Sequence, residues 1–118
     1  MSREIKVRVW YGKHMLYFPD LTEWDWEDYQ DFIKACQDGG KPPMEFTGLH
    51  DKNGKEMFES DILRTATDKP MVVSWSKKFA SFCLNQEGWV FTHWFGESCN
   101  PSDCEVLGNI YENPELLK

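Results

Sequence analysis

Thr47-Gly48-Leu49-His50-Asp51-Lys52-Asn53-Gly54-Lys55-Glu56-Met57-Phe58-Glu59-Ser60-Asp61-Ile62-Leu63 is the stretch whose reading decides the fold. Asn53-Gly54 is the dipeptide that most readily takes two successive positive φ angles, so it predicts a two-residue hairpin or an equally sharp turn. The run behind it reads as half-buried and hands over to Ile62 and Leu63, in a strand beginning at Asp61. Glu59 and Asp61 stand at alternate positions, which on a strand point to one side. General acid-base chemistry needs two such carboxylates with their pKa values pushed apart. The simpler reading is structural: carboxylates at a turn accept hydrogen bonds from backbone N–H groups that lack other partners.

Outward from this stretch the chain is punctuated into short strands. Met44–Phe46 precedes it, and Met71–Trp75, Ser81–Leu84, Trp89–Phe95 and Glu105–Tyr111 follow, all rich in β-forming residues. Asp68-Lys69-Pro70 and Asn85-Gln86-Glu87-Gly88 supply turns, Gly96–Asp103 is a polar loop, and Pro114–Leu117 suits one helical turn. Short strands with turns between them are what a small barrel produces.

Upstream, Glu4–Trp10 alternates, with Ile5, Val7 and Val9 expected on the buried face and Glu4, Lys6 and Arg8 outside. Met15–Phe18 returns as the second strand of a hairpin, and Pro19 stops it. A helix is predicted at about residues 23–37. Thr22 with Asp25 has the layout of its N-terminal cap, the acids of the first turns suit the helix dipole, and Gly39 and Gly40 end it. Trp26, Tyr29, Ile33 and Cys36 follow spacings of three, four and three, with Phe32 beside them, which predicts one stripe packed on the sheet.

Three ordered blocks of this chain resemble the YopX-like family of small phage and prophage proteins. They are the 47–63 stretch, the terminal Glu105-Val106-Leu107-Gly108-Asn109-Ile110-Tyr111-Glu112-Asn113-Pro114-Glu115-Leu116-Leu117, and the opening Arg3-Glu4-Ile5-Lys6-Val7-Arg8-Val9-Trp10. The resemblance implies a small SH3-like barrel as the main fold; the residues themselves add the N-terminal β-hairpin and the one inserted amphipathic α-helix, so the fold expected is mainly β. The resemblance brings no catalytic residues with it. Residues 1–118 are then one domain, with 1–43 as a hairpin-and-helix elaboration and 44–118 as the barrel. The family usually has glycine where this chain has Ser60, and serine disfavours a positive φ. Pro19–Pro43 has no counterpart in the family pattern.

A chain of 118 residues supports one modest core, and its eight Phe and six Trp suit a small barrel that must be filled by few side chains. The net charge is -7. Residues 19–40 hold seven acids (Asp20, Glu23, Asp25, Glu27, Asp28, Asp31, Asp38) against one base (Lys34), so -6 of it belongs to the helical segment and about -1 to the remainder. That balance opposes any role as a simple coat for nucleic acid, where phosphate neutralisation supplies most of the affinity. No signal-peptide pattern and no apolar run of about 20 residues is present, so cytoplasmic residence in a bacterial host, without membrane contact, is the expectation. Cys36, Cys83, Cys99 and Cys104 are expected as free thiols.

His14, His50 and His93 have no metal-ligand spacing, and Cys99 and Cys104 form no Cys-x-x-Cys knuckle. A nucleophile and base drawn from His50, Asp51 and Cys99 is conceivable only if the fold brings them together. No catalytic residue, cofactor or metal is therefore expected. Among Trp75, Phe79, Phe82, Trp89, Phe91, Trp94 and Phe95, alternation sends about half of the rings outward. Lys77, Lys78, Phe79 and Trp94 are the candidate contact surface, and Asn53, Gly54, Glu59 and Asp61 the structural turn. The leading expectation is a non-enzymatic accessory protein acting through protein contacts or self-association. The alternative is a nucleic-acid-binding module using Lys77, Lys78, Arg64 and neighbouring rings.

Overall fold

A computed structural model describes residues 4–65, 70–77, 80–85, 93–94 and 100–117, with residues 93–94 described by their backbone. The described residues are mainly β with a single α-helix, as the sequence leads one to expect. The chain divides into two compact units, residues 1–48 and 49–118.

In the first unit, β1 (Val7–Trp10) and β2 (Met15–Tyr17) form the expected antiparallel hairpin, pairing Arg8 with Tyr17 and Trp10 with Met15. β3 (Met44–His50) runs antiparallel to β1 on its other side, pairing Val7 with Glu45 and Arg8 with Met44. That central position alters the expected facing of β1. Val9 is fully buried, but Arg8 is also buried at 2% exposure, while Ile5 is 42% exposed. Arg8 is covered because its cross-strand partners lie on both sides and its guanidinium carbon sits 6.0 Å from the Tyr17 ring centroid. A long basic stem can pack in this way as an apolar side chain does.

The helix α1 spans Trp26–Gly39, starting later and ending later than expected. Its cap is Asp25 rather than Thr22. The Asp28 amide donates to Asp25 Oδ1 at 2.9 Å and the Asp25 amide donates to Asp28 Oδ2 at 3.1 Å, a reciprocal box built from two aspartates. Thr22 is instead part of a short 3-10 turn, Leu21–Glu23, whose first amide partner is Asp20: Thr22 N–H donates to Asp20 Oδ1 at 3.0 Å. Gly40 ends α1 in the left-handed region at φ 65°, as a C-terminal glycine should.

The buried face of α1 is not the expected stripe. Ala35 is 3% exposed and packs with Val9 and Phe18, and Phe32, Cys36 and the preceding Trp24 close around them. Trp26 is 73% exposed, Ile33 53% and Tyr29 44%. Gly39 permits this placement. A Cβ there would overlap the Trp10 carbonyl oxygen and lie 2.7 Å from Tyr11 Cα. Only glycine lets the end of α1 approach the backbone at Trp10 and Tyr11 this closely, an approach that accompanies the packing of Ala35 on Val9 and Phe18.

In the second unit the chain turns between β3 and β4 (Glu56–Phe58) over residues 51–55, with three residues inside the closing Asp51–Lys55 pair: Asp51 N–H donates to Lys55 O at 2.8 Å and Gly54 N–H to Asp51 O at 3.0 Å. The positive φ belongs to Gly54 alone, at 82°, and Asn53 does not share it. The turn is thus sharp, as expected, but of the longer kind in which one glycine takes the left-handed position. The remaining strands are β5 (Asp61–Arg64), β6 (Met71–Ser76), β7 (Ser81–Asn85), β8 (His93–Trp94) and β9 (Glu105–Asn109). They form an antiparallel sheet in the order β8-β7-β6-β5-β9, with a bulge in the β5–β9 ladder between Ile62 and Leu63. Its core is Met57, Leu63, Met71, Val73, Leu84 and Cys104. The Pro114–Leu117 turn is a 3-10 helix.

Ser60 holds φ at 72°, so the turn keeps the left-handed geometry that the serine was expected to disfavour. The reason is that its backbone is tied on both sides: Ser60 N–H donates to Val73 O at 2.8 Å, and Ile110 N–H donates to Ser60 O at 3.0 Å. Two ladder bonds outweigh the local cost of a side chain there.

Candidate contact surface

Within the first unit, α1 and the β1–β2 hairpin enclose a groove of about 360 Å³. The hairpin supplies Tyr11, Leu16, Tyr17 and Phe18, and the helix supplies Asp28, Asp31, Lys34, Ala35 and Asp38. The helical repeat of 3.6 residues puts 28, 31, 35 and 38 on one side, so the sequence itself carries these acids to the groove. Asp28 is committed to the helix cap. Asp31 and Asp38 are exposed and make no hydrogen bond or ion pair among the described residues, and Lys34 between them pairs with neither. Tyr17 is 59% exposed and Tyr11 39%.

The floor near this groove is rigid. Phe18 meets Phe32 edge-on at 5.6 Å and Trp24 at 5.5 Å, and Trp24 meets Tyr29 edge-on at 5.0 Å. Trp24 Nε1–H donates to Pro19 O at 2.8 Å, which fixes the indole between strand and helix. Asp20 accepts from the Thr22 hydroxyl, from Thr22 N–H and from Ile5 N–H, and these hydrogen bonds hold its carboxyl below the usual value. Burial pushes the Cys36 thiol up, away from the thiolate form a nucleophile needs.

The other side of α1 presents Trp26, Tyr29 and Ile33, so the helix exposes an apolar strip on one side and acids on the other. The sequence held both patterns. It did not hold the long-range packing that chooses between them.

The residues singled out in sequence are distributed differently. Lys77 is exposed, and Trp75 is 45% exposed while its ring meets Phe82 edge-on at 4.9 Å. Lys78 and Phe79 lie outside the described residues, as does the side chain of Trp94 in β8. Asp61 is 2% exposed and its Oδ2 accepts the Phe58 amide at 2.8 Å, while Glu59 is half-buried. His50 is exposed and Cys99 lies outside the described residues. Asp51 directs both oxygens to backbone amides: Oδ1 accepts from Asn53 and Lys55 at 2.8 Å each, and Oδ2 from Val106 at 2.9 Å. Cys36, Cys83 and Cys104 are free thiols. Among the described residues no group of three His, Cys, Asp or Glu side chains is placed to hold a metal, and no helix is long and apolar enough to cross a membrane.

The pattern of the YopX protein family matches residues 6–118. The chain belongs to that family. The match runs through residues 19–43, which the sequence had suggested lay outside the YopX pattern, so the helix-bearing segment falls within its span. Among solved structures, this YopX protein is similar to protein EF1440 from Enterococcus faecalis, with 24% identity over 98% of this chain and 76% of that one and a TM-score of 0.48. No curated protein matches it.

Proposed function

We propose that this YopX protein is a non-enzymatic, phage- or prophage-derived accessory protein that acts by holding another protein. The observation that carries the reading is the outward face of α1. Trp26 at 73%, Ile33 at 53% and Tyr29 at 44% exposure form one strip along the helix. Large side chains left in water on one face mark contact surfaces more often than they mark folding requirements. Their removal should therefore weaken an interaction and leave the fold alone.

Affinity capture from cells producing the protein, with the wild type beside a Trp26→Gln/Ile33→Gln variant, tests this. The wild type is expected to retain a partner at fixed ratio, and the variant to lose it by at least about tenfold, the scale of one anchor residue. Equal retention by both, or a light-scattering mass of a single chain with nothing held, contradicts the reading.

The nucleic-acid alternative keeps one favourable observation, the exposed Trp75 ring with Lys77 exposed two residues on. It requires binding to single- or double-stranded DNA or RNA that weakens steeply with salt and drops on Lys77→Glu.

A further inference from the structure

We propose that the groove between α1 and the β1–β2 hairpin is the docking site for an extended, arginine-bearing segment of a partner protein. The inference rests on the contact role above and adds a second site, on the other side of the helix from Trp26, with a defined ligand chemistry.

Three observations combine. First, the groove is an open concavity of about 360 Å³, large enough to receive a long side chain along its floor. Second, its walls hold two half-exposed phenol rings, Tyr11 and Tyr17, beside the carboxylates of Asp31 and Asp38, and the Tyr17 ring already receives one guanidinium, that of the chain's own Arg8 at 6.0 Å from its centroid, so Tyr11 is the ring left to stack a second. Rings and carboxylates together match the two recognition surfaces of a guanidinium, whose flat face stacks and whose edge donates in pairs. A lysine ammonium is a strongly hydrated point charge and makes less use of a ring. Third, charge complementarity excludes a second copy presenting the same helix. Residues 19–40 hold seven acids and one base, so two such faces repel, whereas a basic segment is attracted.

Spacing decides between a small ion and a segment. Asp31 and Asp38 are seven residues apart, about 10 Å along the helix axis at 1.5 Å per residue. One metal ion bridges carboxylate oxygens at roughly 2 to 2.6 Å, so these two cannot share one. Two guanidinium groups on a segment rising about 3.1 Å per residue reach both carboxylates when they are three residues apart. The row Asp31, Lys34, Asp38 also explains the preference for two separated charges, because Lys34 stands between the acids and pairs with neither among the described residues.

The test uses the full chain and a short glycine-alanine peptide with arginine at every third position, followed by amide chemical shifts. The expected result is perturbation concentrated in Tyr11–Phe18 and Asp28–Asp38, with affinity falling about tenfold for Asp31→Asn/Asp38→Asn, the size of losing a charge-assisted hydrogen bond. Both positions are exposed, so the unchanged spectrum of the free variant verifies that it is folded. A Glu23→Gln/Glu27→Gln variant of the same charge should bind like the wild type. Equal affinity for the same peptide with lysine in place of every arginine, equal loss with the Glu23/Glu27 variant, or shifts spread over all acidic positions each overturn the proposal. In captured complexes, loss on Trp26→Gln/Ile33→Gln but not on Asp31→Asn/Asp38→Asn removes the groove and leaves the contact role standing. Insensitivity to both pairs removes the two together.

Discussion

The Val106 amide donates to Asp51 Oδ2 at 2.9 Å across 55 residues of chain, joining the turn after β3 to strand β9. Asp51 is buried at 6% exposure and takes three amide donors in all, so it acts as the knot of the second unit. Truncation leaves those donors without partners. Asp51→Ala is expected to cost about 3 kcal/mol of stability, and Asp51→Asn less, because an amide keeps one acceptor oxygen. Urea midpoints measure both.

The same carboxylate makes stability depend on pH. Burial alone pushes its pKa up, but the Val106, Lys55 and Asn53 amides and the Lys55 charge outweigh burial and hold it below the ordinary 3.8. A group with a depressed folded pKa contributes stability that is present above its unfolded value and is lost as pH falls through the folded one. The wild type is therefore expected to lose stability on acidification below about pH 4, and Asp51→Asn to show a flatter profile over that window. Parallel profiles for the two proteins would remove Asp51 from the account.

Ser60 sits at φ 72° in a turn where serine disfavours that angle. Left-handed geometry in a non-glycine residue costs about 1 to 3 kcal/mol, and glycine returns roughly 0.5 to 1 of that through its freer unfolded chain. Ser60→Gly is expected to stabilise the protein by about 1 kcal/mol, read as a rise in melting temperature. A fall would show that the serine side chain contributes more than the backbone costs.

Gly39 and Gly40 are neighbours with different demands. At Gly39 a Cβ would strike the β1 backbone at Trp10 and Tyr11, whereas at Gly40 nothing lies within 4 Å and only the φ of 65° opposes substitution. Gly39→Ala is expected to cost about 2 kcal/mol or more by overpacking. Gly40→Ala should cost about 1 kcal/mol. Equal effects would mean that α1 does not need its close approach to β1.

These glycines also show what the sequence conveyed and what it withheld. The presence of α1, its glycine stop, the β1–β2 hairpin and the turn at Gly54 all follow from local chemistry, and local chemistry is legible. The face that α1 buries is not, because Trp26-Tyr29-Ile33 and Phe32-Ala35-Cys36 are both apolar rows at helical spacing. The choice goes with packing between distant segments, such as the approach of Gly39 to Trp10, 29 positions apart in the numbering. Arg8 departs from its expected facing for a related reason: alternation assigns it to the outside, and the presence of β2 and β3 on both sides of β1 covers it. The groove depends on the same orientation, so Tyr11, Tyr17, Asp31 and Asp38 carry no signal in sequence beyond the shared helix face of the two acids.

Ile62 is fully buried in β5, beside the bulge that shifts the β5–β9 register. Ile62→Ala is expected to cost about 2 to 4 kcal/mol through the cavity it leaves. A melting temperature equal to the wild type would show that the strand relaxes around the loss.

The claim that α1 faces a partner is tested most directly by photo-crosslinking in producing cells, with a benzophenone amino acid in place of Ile33 and, separately, in place of the exposed Lys52. The account predicts a discrete adduct with another protein from position 33 and none from position 52. No adduct from position 33, or the same adducts from both positions, would contradict it.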